Sequence, residues 1–178
     1  MMLYLACIFR LPCRAALPAL VCLFLAGCAP SVPVPATPVL LPTPLMRQVT
    51  EWRPGEAADH CVLVVQTENQ GTRWSLFDAL GVPRARQILQ DGQWRNDGFL
   101  PPDRAARMLF AALIFAWTPP AELAVRYGEP NVRVHDSARV LIADGLPIVT
   151  VTFAAQGKLQ FVLGDGTRWQ VAPLEDNP

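Results

Sequence analysis

The sequence predicts an α+β fold, an antiparallel sheet interrupted by a short helical insertion. Three observations predict it: brief alternating apolar runs parted by turn signals such as Asp-Gly, one apolar stretch of helical length at 104–117, and renewed alternation after it. At 178 residues the chain suits one domain with a real core and scarcely two. Lys+Arg and Asp+Glu both number 15, so the balance carries no footprint for a polyanion such as nucleic acid.

The first element is an address. Arg10 and Arg14 precede the apolar run 15–26, which suits a signal-peptide core and falls short of the ~20 residues of a spanning helix. The run closes on Leu25-Ala26-Gly27-Cys28, which resembles a lipobox. Residues 1–27 are thus expected to be a lipoprotein signal peptide and Cys28 the lipidation site; an ordinary secretory peptide with an incidental cysteine is the other reading. Ala29 follows, where an aspartate would retain the protein at the inner membrane, so the resemblance implies the periplasmic face of the outer membrane. Without residues 1–27 the chain keeps 13 basic and 15 acidic side chains. Cys7, Cys13 and Cys22 leave with the signal, and a thioether at Cys28 leaves Cys61 without an intramolecular partner.

Residues 28–58 are expected to be the lipidated cysteine and a proline-rich tether. Pro30, Pro33, Pro35, Pro38, Pro42 and Pro44 lie in an uncharged stretch that favours extended backbone. Roughly fifteen such residues at about 3 Å each would hold a domain up to ~45 Å from its anchor.

The domain is expected over 59–174. His60–Thr67 and Thr72–Ala79 flank Asn69-Gln70-Gly71, and Arg84–Gln90 leads through Asp91-Gly92 into Gln93-Trp94. At the far end Ala138–Ala143, Pro147–Ala154, Lys158–Leu163 and Thr167–Ala172 are parted by Asp144-Gly145, Gln156-Gly157 and Asp165-Gly166. Leu159, Phe161 and Leu163 oppose Lys158 and Gln160, the pattern of a sheet with one dry and one wet face.

Pro101-Pro102-Asp103 predicts a helix start, with Arg104–Trp117 following until Thr118-Pro119-Pro120 stops it. A second helix is expected from Pro120 to Tyr127, ended by Gly128. Leu109–Trp117 is apolar at all nine positions. Such a helix must be covered on every side. It either packs as ordinary core against the second helix and the sheet, or lies over an apolar cavity that accepts a lipid chain.

The order of lipobox, linker, antiparallel strands, helical insertion and returning strands resembles the LolB family of outer-membrane lipoproteins, which accept lipoproteins from the carrier LolA. Ala79-Leu80-Gly81 stands where that family carries Pro-Leu-Gly at a hairpin tip, without the proline, and Leu159–Trp169 resembles its final hairpin. The chain is more similar still to an uncharacterised LolB-like lipoprotein family associated with aryl-polyene-type lipid biosynthesis and export. Arg73–Phe77, Leu80–Pro83, Asp91–Trp94 and Asp97–Pro102 carry that resemblance.

The resemblance implies a strongly curved antiparallel half-barrel, with the helices covering its open side and an apolar interior. On the first strands and the loop after them, Trp74, Leu76, Ile88 and Phe99 are candidates to line that interior. Leu109, Phe110, Leu113 and Trp117 are candidates on the helix, and Val149, Val151, Phe153, Phe161 and Trp169 on the returning strands. Each is equally readable as plain core. Leu80 would be a membrane-insertion residue, or would pack under its own turn. The implied partners are the outer membrane, an acyl-chain lipid or lipoprotein cargo and a LolA-like periplasmic carrier, with no nucleic acid and no cofactor.

No catalytic residue and no metal site is expected. Adjacent His60 and Cys61 would point to opposite faces of a strand, and Ser75 lacks a nucleophile-elbow sequence. The one arrangement the residues leave open is Ser75 with His135 and a distant acid. Two functions of different class stand: a lipid- or lipoprotein-handling factor with an apolar cavity, and a non-catalytic accessory or scaffold lipoprotein of an envelope lipid-export system.

Overall fold

The computed structural model describes residues 31–37, 41–69 and 71–174. Cys28 and the signal segment lie outside them. Within them ten strands form one antiparallel sheet: β1 (Leu45–Trp52), β2 (Asp59–Glu68), β3 (Gly71–Asp78), β4 (Pro83–Gln90), β5 (Gln93–Asn96), β6 (Val132–Val134), β7 (Ala138–Ala143), β8 (Leu146–Phe153), β9 (Leu159–Leu163) and β10 (Arg168–Pro173). Between β5 and β6 run α1 (Arg104–Trp117) and α2 (Pro120–Tyr127). The strand order is β5-β4-β3-β2-β1-β10-β9-β8-β7-β6. Two meanders of five strands therefore meet where the first strand pairs with the last.

The turns follow from their residues. Asp91-Gly92 and Asp144-Gly145 both have positive φ at each position, the conformation that two-residue hairpins with right-handed twist require. Asp103 caps α1 by accepting from Ala106 N at 3.0 Å, and Thr118 Oγ1 donates back to Ile114 O at 2.7 Å where the helix ends.

Alternation sorts the sheet into two faces. The inner face carries Leu45 and Val49, Cys61, Leu63 and Val65, Trp74 and Leu76, Leu159, Phe161 and Leu163, and Trp169 and Val171, all buried. Cross-strand registers stack them: Val49 lies between Cys61 and Val171, and Phe161 between Trp169 and Val151. Against this face lies α1, whose residues Leu109 to Ala116 are all buried. The outer face is mostly polar, and an ion-pair network of Glu68, Arg73, Asp97 and Arg86 runs on it from the end of β2 across β3 and β4 to the residue after β5, with separations of 2.6–3.0 Å.

The architecture departs from the expected shape in one respect and from the expected boundaries in two. The sheet is neither strongly curled nor closed, and β5 and β6 are its free edges. The cause is α1: a helix is ~10 Å thick with its side chains, and this one touches both flanks. Phe110 packs on Trp74 and Trp94 at 5.5 and 5.8 Å, while Arg139 on β7 donates to Ala116 O at 2.8 Å and Thr118 O at 2.6 Å. The flanks are propped apart. Second, the sheet begins at Leu45, inside the stretch expected as tether, because inward-facing Arg47 and Glu51 disguise the period of β1. Third, β6 is only three residues long, too short to show a period.

Candidate functional site

The candidate site is the space between the inner face of the sheet and α1, together with the loops at its two ends. At one end four aromatic rings converge. Trp74 stacks on Trp117 at 6.2 Å, meets Trp94 edge-on at 5.9 Å and packs on Phe110. Its indole N–H is satisfied by Thr72 Oγ1 at 2.9 Å.

Most of the expected lining residues come together. Trp74, Leu76, Leu109, Phe110, Leu113, Val149, Val151, Phe161 and Trp169 share one core, with Trp117 and Phe153 half-buried at its margin. Phe153 also carries the Arg139 guanidinium over its ring at 4.8 Å. Two expected residues do not join. Ile88 lies on the outer face, paired with Arg73 and Arg95, and its neighbour Leu89 takes the inward position. Phe99 sits in the loop before α1 at 108% exposure. A third surprise is Gln87, 1% exposed on the inner face opposite Trp74. It donates to Asp103 O and accepts from Arg107 Nε, both at 3.4 Å, and so ties β4 to the start of α1. A glutamine reads as wet, so sequence periodicity passes over it.

The opposite end of the space is polar. A register shift in the β3–β4 ladder beside Leu76 makes Arg84 the extra residue of a bulge, and its guanidinium donates to Cys61 Sγ at 3.2 Å and to Asp59. Buried Glu51 accepts both nitrogens of the Arg53 fork, at 3.0 and 3.1 Å, and its hydrogen bonding holds the Arg53 pKa above the ordinary value. Burial pushes the Cys61 thiol up, against the opposing pull of Arg84, which keeps it protonated and a poor nucleophile near neutrality. The cavity bounded by these groups and the first turn of α1 measures about 10 Å³, room for one water at most.

His60 faces away from Cys61 and lies 3.3 Å from Thr50 Oγ1 through its Nδ1. Ser75 on β3 and His135 beyond β6 are seven strand positions apart, roughly 33 Å along the sheet at ~4.8 Å per strand. That pair cannot share a proton. Among the described residues no three His, Cys, Asp or Glu side chains are placed to hold a metal ion, and no helix is long and apolar enough to cross a membrane.

Beyond this polar end the β3–β4 turn forms a tip. Asp78 builds it: Oδ1 accepts from Leu80 N at 2.9 Å and Val82 N at 2.8 Å, while Asp78 O accepts from Gly81 N at 3.0 Å. The side chains between are thrown outward, and Leu80 is 89% exposed. It does not pack under its own turn. The loop carrying Phe99 runs to the same end of the sheet, since Asp97 N donates to Arg86 O and prolongs the β4–β5 ladder toward the start of β4.

No protein-family model matches the chain, and comparison with curated proteins finds no match.

Proposed function

We propose that this chain is a lipid-anchored envelope protein, attached through Cys28 to the periplasmic face of the outer membrane, that receives an acyl chain and passes it to the bilayer. The cargo is a free lipid or a lipoprotein, received against the inner face beneath α1, and the transfer is non-catalytic. Two meanders with a helical insertion between them support a LolB-like reading, in an open and flatter form than the half-barrel of that resemblance.

The observation that carries the proposal is Leu80. A leucine standing free on a turn pinned by Asp78 gains about 1.5–3 kcal/mol by entering an apolar phase. It is placed to bring the domain into contact with one. The test is Leu80→Asp, compared with wild type for uptake of a fluorescent fatty acid and for its release on adding vesicles. Uptake is expected to persist while vesicle-driven release slows about tenfold or more; release at the wild-type rate defeats the proposal.

The small cavity under α1 favours a second reading, a scaffold or accessory lipoprotein of an envelope lipid-export system with a filled core. A folded protein that refuses every acyl probe, yet is cross-linked to an envelope partner through its surface, decides for that reading.

A further inference from the structure

The segment Ser31–Thr37 lies along the domain instead of standing off it. Val32 is 8% exposed and belongs to the core, Val34 packs against that core, and Pro35 is buried. Pro35 and Ala36 pass so close to the β4–β5 turn that a Cβ on Gly92 would meet Ala36 Cα at 2.8 Å and Pro35 O at 3.1 Å. Farther along, Arg126 of α2 donates to Thr37 O, and a groove of about 430 Å³ separates residues 35–37 from Ala121, Glu122 and Val125. The segment is a strap from the sheet's free edge to α2. Trp94, two residues after Gly92, meets Trp74 and Phe110 in the aromatic seam that begins at this turn.

The strap is weakly held. Pro33 and Pro35 have no N–H to give, and the one strap hydrogen bond among the described residues is the one to Thr37 O. Adhesion rests on a few apolar side chains, the signature of a segment that opens locally.

Geometry gives such opening a purpose. Strand β4 runs from the tip bearing Leu80 to the turn that the strap touches, a length of about 26 Å at ~3.3 Å per residue. Cys28 precedes Ser31 by three residues, no more than about 11 Å of extended chain. With the strap seated, its contact at Gly92 lies a full strand length from the leucine tip, and only this short piece of chain joins the strap to Cys28. With the strap lifted, the chain from Cys28 to Leu45 extends roughly 50 Å at ~3.1 Å per residue, enough for the domain to turn over.

We propose that residues 31–37 form a releasable latch. Seated, it covers the aromatic seam and keeps the tether to Cys28 short; lifted, it opens the seam to an acyl chain and frees enough tether for the tip to reach the anchoring bilayer. The acyl ligand and the anchor rest on the function proposed above, whereas the latch itself rests on the strap contacts.

The test compares the full lipidated chain with its Val32→Asp variant in phosphatidylethanolamine–phosphatidylglycerol vesicles. Three readouts are hydrogen exchange across residues 93–96, affinity for a fluorescent C16 fatty acid, and the blue shift of an environment-sensitive dye on Ala79→Cys. The variant is expected to exchange at least tenfold faster there, bind the fatty acid several-fold tighter and give the larger blue shift. Equal exchange and equal dye signal in the two proteins overturn the latch, whatever the fatty acid does. If those two readouts differ and neither protein binds fatty acid, the latch stands and the acyl reading falls. Should Val32→Asp lose its circular-dichroism signature, Arg126→Ala, which frees Thr37 without touching Val32, decides by the same comparisons.

Discussion

Tyr127 fastens α2 to α1 by meeting Phe115 edge-on at 5.2 Å, and burial pushes its phenol from 10.0 up to about 12. The folded pKa lies above the unfolded one, so the protonated phenol's contribution is intact below pH 10 and disappears as pH rises through about 12. The loss amounts to about 2–3 kcal/mol. Urea midpoints measured from pH 9 to 12 are expected to fall steeply for wild type, while Tyr127→Phe flattens that alkaline limb. A parallel fall in both proteins would place the sensitivity elsewhere. Single residues were also where periodicity misled. In Arg86-Gln87-Ile88-Leu89 two apolar neighbours offer either phase, and Gln87 points to the wrong one; burial beside Arg107 and Asp103 decides for Leu89. Phe99, between Gly98 and the Pro101-Pro102 pair, has no period to read at all.

Among elements, α1 was the most legible, because its signals are local: a proline pair and Asp103 before it, nine apolar residues within it, and Thr118-Pro119-Pro120 after it. Its cap carries a definite prediction. Asp103→Ala removes the acceptor for Ala106 N and is expected to cost about 1 kcal/mol in urea denaturation with an unchanged m-value; no cost would mean that another group takes over the cap. The hairpins β4–β5, β7–β8, β8–β9 and β9–β10 were legible for the same reason, each announced by its turn pair. β1 was not, since Arg47 and Glu51 occupy inward positions: Glu51 is held at the polar end of the interior by Arg53, and Arg47 lies opposite Leu63 and Pro173 with its guanidinium donating to Met46 O. Curvature was illegible in principle. It depends on how far α1 holds the flanks apart, a distance set by packing between elements remote in sequence.

At the scale of the whole molecule the two ends of the sheet have different characters. The end bearing Leu80 and Phe99 exposes bare apolar side chains, and the end reached by the strap buries a cluster of aromatic rings. That polarity is invisible along the chain, because it arises only when the hairpins align their turns. It is nonetheless what gives the candidate site a direction, with an apolar point at one end and a covered seam at the other.

The pairing of β1 with β10 has a consequence for how such a chain is made. Residues 45–52 and 168–173 are separated by more than a hundred residues, so the central strand keeps one ladder of amides unsatisfied until the final hairpin folds back onto it. Stopping translation at Gly166 is expected to strand that edge and send the product into aggregates, whereas removing only residues 175–178 should leave a dispersed, folded protein on size-exclusion chromatography. Until that last pairing closes, the chain therefore depends on whatever keeps half-finished sheets from finding one another.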